Sequence, residues 1–474
     1  MATGELTKRQ TAARWAILIA LYFCITLWLP RPEAVSPAGW RLTGLFLATV
    51  AGLILQPLPG GALVLLAVTL APLLTDLKLQ DALAGYADST VWLVMAAFFI
   101  SRSLLNTGLA RRIALLFVRG FGKSSLGVCY ALSLSDMVLA SIIPSNGARS
   151  GGVILPIVRS ISELYGSLPG ETARRLGAFL MMGVYQCVVV SCAMFYTGQA
   201  SNPLAAKMAG DFGFEITWAG WFVAGMAPGL ISIAVIPLLV HRLAKPEITK
   251  TPEAAAFASR ELDNMGPLQS AEKILMLVFF SVCGLWITSN WHGLDITITA
   301  LCGSMALLLT GVLKWEDVLR ERAAWDIFLW YGGLLRLGKA LNDTGVTSVF
   351  AQAVGEQFAE MSWMALLLIS LLIYYYAHYA FASITAHVLS MYPAFLALLA
   401  AKGAPLGLVV FSFAAFANLS AGLTNYGTTP APMFYAHGYV PLKEWWKIGA
   451  AASVVNIAIW LTAGLAWWKL LGLW

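Results

Sequence analysis

Two short stretches set hydroxyl, amide and basic side chains at one spacing inside apolar sequence. In "PSNGAR" (144–149), Ser145 and Asn146 are followed by Arg149, four residues after Ser145. In "SITAH" (383–387), Ser383 and Thr385 are followed by His387, four residues after Ser383. Ser, Thr and Asn supply neutral donors, Arg grips a carboxylate through two parallel N–H bonds, and His changes charge near neutrality. Pro144 stops a helix and Gly147 permits a sharp turn, so residues 144–147 are expected to form the tip of a hairpin that enters the membrane and returns. The second stretch is expected to form a matching tip. Each tip would aim a helix N-terminus, rich in free N–H groups, at a small polar chamber. That chemistry suits an anion with at least two carboxylates. Arg149 is the expected main clamp and His387 a second charge. The rival readings are an Arg149 that caps backbone carbonyls or reaches the membrane surface, and a His387 satisfied in the core. A charge at membrane depth favours the functional reading.

The surrounding sequence says where such a chamber would sit. Of 474 residues, 59% are hydrophobic and only 11% charged, less than half the charged share of a soluble domain. Runs of about 20 apolar residues, enough to span a bilayer, recur from end to end. The expected fold class is an all-α polytopic membrane protein. The net charge of +6 comes without a long basic run, which argues against nucleic-acid binding. Cys24, Cys129, Cys187, Cys192, Cys283 and Cys302 all lie in apolar segments, with no Cys/His spacing of a zinc site. Lys8, Arg9 and Arg14 precede an apolar run, Trp15–Leu29, that ends in Pro30-Arg31-Pro32 with no small-residue cleavage site. It reads as an uncleaved first span with a cytoplasmic N-terminus in a bacterial cytoplasmic (inner) membrane. Glu163, Asp136 and the scattered His offer no nucleophile–base or metal constellation, so no enzyme activity, catalytic residue or cofactor is expected.

The chain also resembles itself. "LLNTGLARRIA" (104–114) parallels "ALNDTGVTSVFA" (340–351), with the Thr-Gly pairs 237 positions apart. The two tips are 238 positions apart, and "TGQASNP" (197–203) parallels "TNYGTTP" (424–430) at an offset of 227. Three weak matches in one order point to two repeats. The expected organisation is an N-terminal segment and first span (1–40), a first repeat (41–240), a cytoplasmic linker (241–270) and a second repeat (271–474). The third pair reads as two broken helices facing the tips, with Gln199, Asn425, Tyr426 and Thr428 lining that side. Inverted repeats with a midplane site are one known way to build a transporter.

The stretches "PSNGARSGGVILPIV" (144–158), "HYAFASITAHVLSMYPAFL" (378–396) and "AGLTNYGTTPAPMFYAHGYV" (421–440) resemble the divalent anion/sodium symporter family, most of all its citrate, tartrate and 2-oxoglutarate/malate translocator branch. The resemblance covers nearly the whole chain. It implies a homodimer, scaffold and transport subdomains moving as an elevator, and Ser-Asn-Thr motifs on both tips that bind substrate carboxylates and, in sodium-coupled members, Na⁺. Here Gly147 stands for Thr in the first motif and Ile384 for Asn in the second. An Ile side chain offers sodium no oxygen, which puts a second sodium site in doubt. Retained Ser141, Ser145, Asn146 and Gly198 leave room for one residual sodium site. The expected function is sodium-independent exchange of di- or tricarboxylates, with Arg149 and His387 substituting for bound cations. The alternative is a Na⁺-coupled symporter of the same anions or of sulfate. An Arg149 without a counter-ion would make the empty carrier slow to cross, and so enforce exchange.

Overall fold

The computed structural model describes residues 8–346, Val349, Phe358 and 360–474, and among them the regular elements are all helices, with a single antiparallel bridge between Ser124 and Lys250. The 340–351 parallel therefore lies partly outside the described residues. The principal helices are α1 (Lys8–Phe23), α2 (Pro37–Leu55), α3 (Gly60–Leu74), α4 (Ser89–Thr107), α5 (Leu109–Phe121), α6 (Ser125–Ala140), α7 (Leu155–Leu164), α8 (Gly177–Met194), α9 (Ser201–Asp211) and α10 (Trp218–Leu243). After these come α11 (Pro252–Met265), α12 (Ser270–Ile287), α13 (Ile296–Leu309), α14 (Arg322–Asp343), α15 (Trp363–Ala377), α16 (Ile384–Ala401), α17 (Leu406–Leu419), α18 (Pro430–Ala436) and α19 (Leu442–Ile459). Ten helical segments among the described residues are long and apolar enough to cross a membrane. In hydrocarbon each backbone group must find its partner within the protein, which is why helices carry the crossings.

Two groups of helices pack side by side. In one, α14 lies against α2, α3 and α4, while α4 also packs on α13. In the other, α8 sits at the centre, against α6, α10 and α17. All 18 residues of α8 are buried, and α17 is buried from Gly407 to its end. A helix apolar on every side belongs in such a centre. The polar 241–270 connection is ordered rather than loose. Its helix α11 is tied to α5 by Arg111–Glu261 at 2.6 Å, and Arg112 bonds both Glu272 (2.7 Å) and the Gly266 carbonyl (2.9 Å).

Both central helices end inside the protein, among buried residues. After α8 the chain runs extended at Phe195, makes one tight turn at Tyr196–Gly198, is extended again at Gln199, and resumes as α9. After α17 it turns at Ser420–Leu423, extends at Thr424 and resumes at α18. The freed carbonyls are met by side chains. Asn202 donates to the Cys192 and Phe195 carbonyls, Gln186 to that of Gly422, and the Tyr185 hydroxyl to that of Ala421, all at 2.7–2.9 Å. Facing these breaks, α6 ends at Ala140 and the chain turns over 141–146 before a wide helical turn, Gly147–Ile154, leads into α7. In the second half, α15 ends at Ala377 and Ser383 caps α16, its Oγ accepting from the Ala386 N–H at 3.4 Å. The Thr-Gly pairs also match: Gly108 and Gly345 each follow a helix end with φ of +78°, the left-handed geometry Gly adopts freely.

One close approach seats α14. Gly85 lies in the turn Ala84–Ala87, where a Cβ would collide with the Gly332 carbonyl oxygen of α14, and a Cβ on Gly332 would enter the Tyr86 ring. Gly85→Val is expected to cost about 1–3 kcal/mol or more by overpacking. The check is a lower melting temperature of the purified protein in detergent; an unchanged melting curve would mean that this contact does not position α14.

Candidate functional site

Between the turns and the breaks lies a cavity of about 340 Å³. The first turn contributes Pro144, Ser145 and Asn146, and the second Ser383, Ile384, Thr385 and Ala386; the breaks add Gln199, Ala200, Thr428 and Thr429. The remaining wall comes from the other helix group, with Gln56, Gly60, Phe98, Asp326 and Trp330 among its residues. The polar positions sit just before helix starts: Asn146 before Gly147–Leu164, Gln199 before α9, and Ser383 before α16. Three helix N-termini thus converge on one cavity. Each carries about half a positive charge in free N–H groups, so the cavity favours an anion without any cationic side chain in its lining.

The two halves of the chain meet here. Asn146 Nδ2 donates to Thr428 Oγ1 at 2.8 Å, and Asn418 Nδ2 to Asn202 Oδ1 at 2.8 Å. Gly147 corrects one expectation. It does not make the turn but opens the next helix, and its missing side chain lets Thr429 approach: a Cβ would stand 2.7 Å from Thr429 Cγ2.

Arg149 corrects a larger one. It is fully buried behind the first turn and does not line the cavity. Its Nε bonds Asp136 Oδ1 at 2.8 Å, Nη1 bonds the carbonyls of Ile143 (2.8 Å) and Gly198 (3.1 Å), and Nη2 contacts Cys192 Sγ at 3.3 Å. Four of its five N–H groups are engaged within the protein, and the side chain is sealed from the cavity, so it is not presented to a carboxylate there. The capping reading is the one the geometry bears out. Asp136 also removes the basis for exchange enforced by an unpaired arginine, because the charge is neutralised with or without a ligand. That carboxylate, 13 residues earlier and across the turn, had no sequence spacing to announce it.

His387 is likewise closed off from the cavity. Its ring lies between those of Tyr374 and Phe381, at 4.1 and 4.9 Å between centroids, with His378 Nδ1 3.0 Å from its Nδ1. His378 Nε2 lies 2.8 Å from the Gly427 carbonyl. A carbonyl only accepts, so His378 carries a proton on Nε2. Asn425 and Tyr426 also turn away. Asn425 Oδ1 accepts from Trp446 Nε1 at 3.2 Å, and the Tyr426 hydroxyl donates to the Tyr379 carbonyl at 2.9 Å. Of the four residues named for a sodium site, Ser145 and Asn146 line the cavity. The Ser141 carbonyl accepts from the Thr197 hydroxyl at 2.5 Å, and the Gly198 carbonyl is held by Arg149.

Sequence reasoning missed Gln56, Asp326, Trp330 and Thr429. Asp326 left a signal: a carboxylate inside the apolar run "AAWDIFLWYGGLL" (323–335), which at membrane depth asks for a function. Gln56 left none, yet it has φ of +51°, the sole non-glycine with positive φ among the described residues.

Crossing helices, membrane-depth breaks and an anion-tuned cavity define a multi-pass membrane carrier rather than an enzyme. The chain belongs to the family described as the sodium:sulfate symporter transmembrane region, whose profile matches residues 10–474. It is 42% identical over 478 residues to the protein named "Putative malate transporter YflS" of Bacillus subtilis, covering 100% of both chains. It is 40% identical over 478 residues to dicarboxylate transporter 1, chloroplastic, of Spinacia oleracea, covering 99% of this chain and 84% of that one. Its fold is shared with the YdaH transporter of Alcanivorax borkumensis at a TM-score of 0.59 and 13% identity, over 94% of this chain and 98% of that one.

If the arginine is a built-in part of the fold, Arg149→Ala strands Asp136 in the interior at a cost of about 3–5 kcal/mol. The single variant is expected to melt markedly lower in detergent, and the double variant Arg149→Met/Asp136→Leu to recover only part of that loss, since the Ile143 and Gly198 carbonyls stay unmet. A single variant that melts like the parent would make Arg149 a ligand group after all.

Proposed function

We propose that this protein exchanges small dicarboxylates of the malate class across the cytoplasmic membrane, by alternating access and without sodium. The observation that carries the sodium-independence is the placement of the Arg149 guanidinium on the Ile143 and Gly198 carbonyls. Sodium takes oxygen ligands of this kind, and a cation fixed to the chain already holds two of them. The dicarboxylate class draws on the names of the relatives, one a malate and one a dicarboxylate transporter. It draws also on the cavity, where Ser145 and Asn146 offer donors from one half of the chain and Ser383, Thr385 and Thr428 from the other. One carboxylate would sit near each tip.

Exchange follows from those donors. In an empty crossing they would pass the opposing helices without water or ligand, and each unmet buried donor costs about 1–3 kcal/mol. A bound dianion meets several at once, so loaded crossings are favoured. The helix group holding α6–α10 and α15–α19 would move against the group holding α2–α4 and α12–α14, in the manner of an elevator, within a homodimer whose N-termini face the cytoplasm. The second reading is sodium-coupled symport of the same anions or of sulfate, favoured by the name of the family itself.

Proteoliposomes decide between them. Vesicles preloaded with malate are expected to take up labelled malate at least tenfold faster than empty ones, with less than a twofold change on adding sodium. Equal uptake by empty, sodium-energised vesicles would establish symport instead. In the same assay Asn146→Ala and Thr428→Ala, which remove facing donors, are each expected to lower exchange at least tenfold; wild-type rates in both would move the substrate elsewhere.

A further inference from the structure

For a cavity that favours anions, one wall carries the wrong charge. Among the described residues that line it, Asp326 is the one ionisable side chain, and it is acidic. It stands near the start of α14, in the helix group opposite the tips. Its position is built rather than incidental. Oδ1 accepts from the Gly61 N–H at 3.2 Å, at the N-terminus of α3, where a carboxylate is favourably placed. Residue 61 has no side chain to keep it away: a Cβ there would stand 2.5 Å from that same Oδ1. Asp326 remains exposed to the cavity.

We infer that Asp326 is the charge filter of this cavity, admitting anions with two carboxylates and turning away those with a third. The inference rests on the dicarboxylate reading above. A dianion spends both its charges on the donors of the tips and breaks. What it presents to the α14 wall is its neutral middle, and a hydroxyl there can donate to Asp326. A tricarboxylate must turn its third charge toward that wall. A compact cavity of 340 Å³ is about 9 Å across. Even at that widest separation and an effective dielectric of about 20, two like charges disfavour binding roughly twentyfold, and a third charge turned toward the wall stands closer. Protonation of the third carboxyl removes the penalty.

The test is malate counterflow in proteoliposomes with citrate as competitor, in wild type, Asp326→Asn and Asp326→Glu. Asn keeps the oxygen that bonds Gly61 and loses the charge; Glu keeps the charge. The readout is the ratio of half-inhibitory citrate to malate concentrations. Asp326→Asn is expected to lower that ratio at least tenfold, and Asp326→Glu to hold it within about threefold of wild type. Lowering the pH until the third carboxyl of citrate is protonated should lower the ratio in wild type and leave it nearly level in Asp326→Asn. If Asp326→Asn does not transport, the same ratio is read from stabilisation of the detergent-purified protein by each anion. A ratio unchanged by Asp326→Asn in both assays overturns the filter. Failure of the wild type to exchange or bind malate would overturn the dicarboxylate reading instead.

Discussion

Everything near the cavity depends on an arginine that cannot leave. Breaking α8 at membrane depth strands carbonyls, and ending α6 beside it strands more. Arg149 collects two of them, Ile143 and Gly198, on one nitrogen, while Asp136 balances its charge. A buried ion pair alone is weak evidence for stability, because desolvation cancels much of the attraction. Here the guanidinium also meets backbone acceptors that would otherwise be unpaired, and that tips the balance. The pair therefore fastens the first turn to the first break, which fixes Ser145, Asn146 and Gln199 relative to one another.

With the positive charge spent on the scaffolding of the turn, attraction for an anion has to come from the backbone. Three helix starts converge on the cavity, and neutral side chains fill the gaps between them. Such a site has no counter-ion to lose when the ligand departs. A ligand of the proposed class would be held there through many modest hydrogen bonds rather than one strong salt bridge, which suits a carrier that must also release. The second half reaches a related arrangement by other means. At the position matching Asp136 it has Tyr374, and at that matching Arg149 it has His387, stacked ring on ring.

The fold was largely legible because membrane crossings write themselves as long apolar runs, and because Pro, Gly and small polar residues inside such runs have few explanations. The repeat showed the two tips and two breaks in register, and Ser145, Asn146, Gln199, Ser383, Thr385 and Thr428 do meet at one cavity. The directions of side chains were not legible. Arg149 lies one helical turn beyond Ser145, and nothing in "SNGARS" (145–150) says whether it points toward the cavity or toward Asp136. Asn425 and Tyr426 failed in the same way, since the partners that turn them aside, Trp446 and Tyr379, are far along the chain or on another helix. The α14 wall was missed because it comes from helices with no match to the tip motifs, and Asp326, its one signal, stands alone in an apolar run.

The hydrogen bond from Asn146 to Thr428 joins a residue from each half of the chain. The bond ties the first tip to the second break, so the donors of the two halves keep a set spacing while it holds, as in a caliper. A ligand with a single acidic end can engage only one jaw. One whose ends are too far apart cannot seat the second. For the dicarboxylate proposed above, carbon-chain length would then be measured by the spacing of those donors, before Asp326 inspects what hangs from the middle.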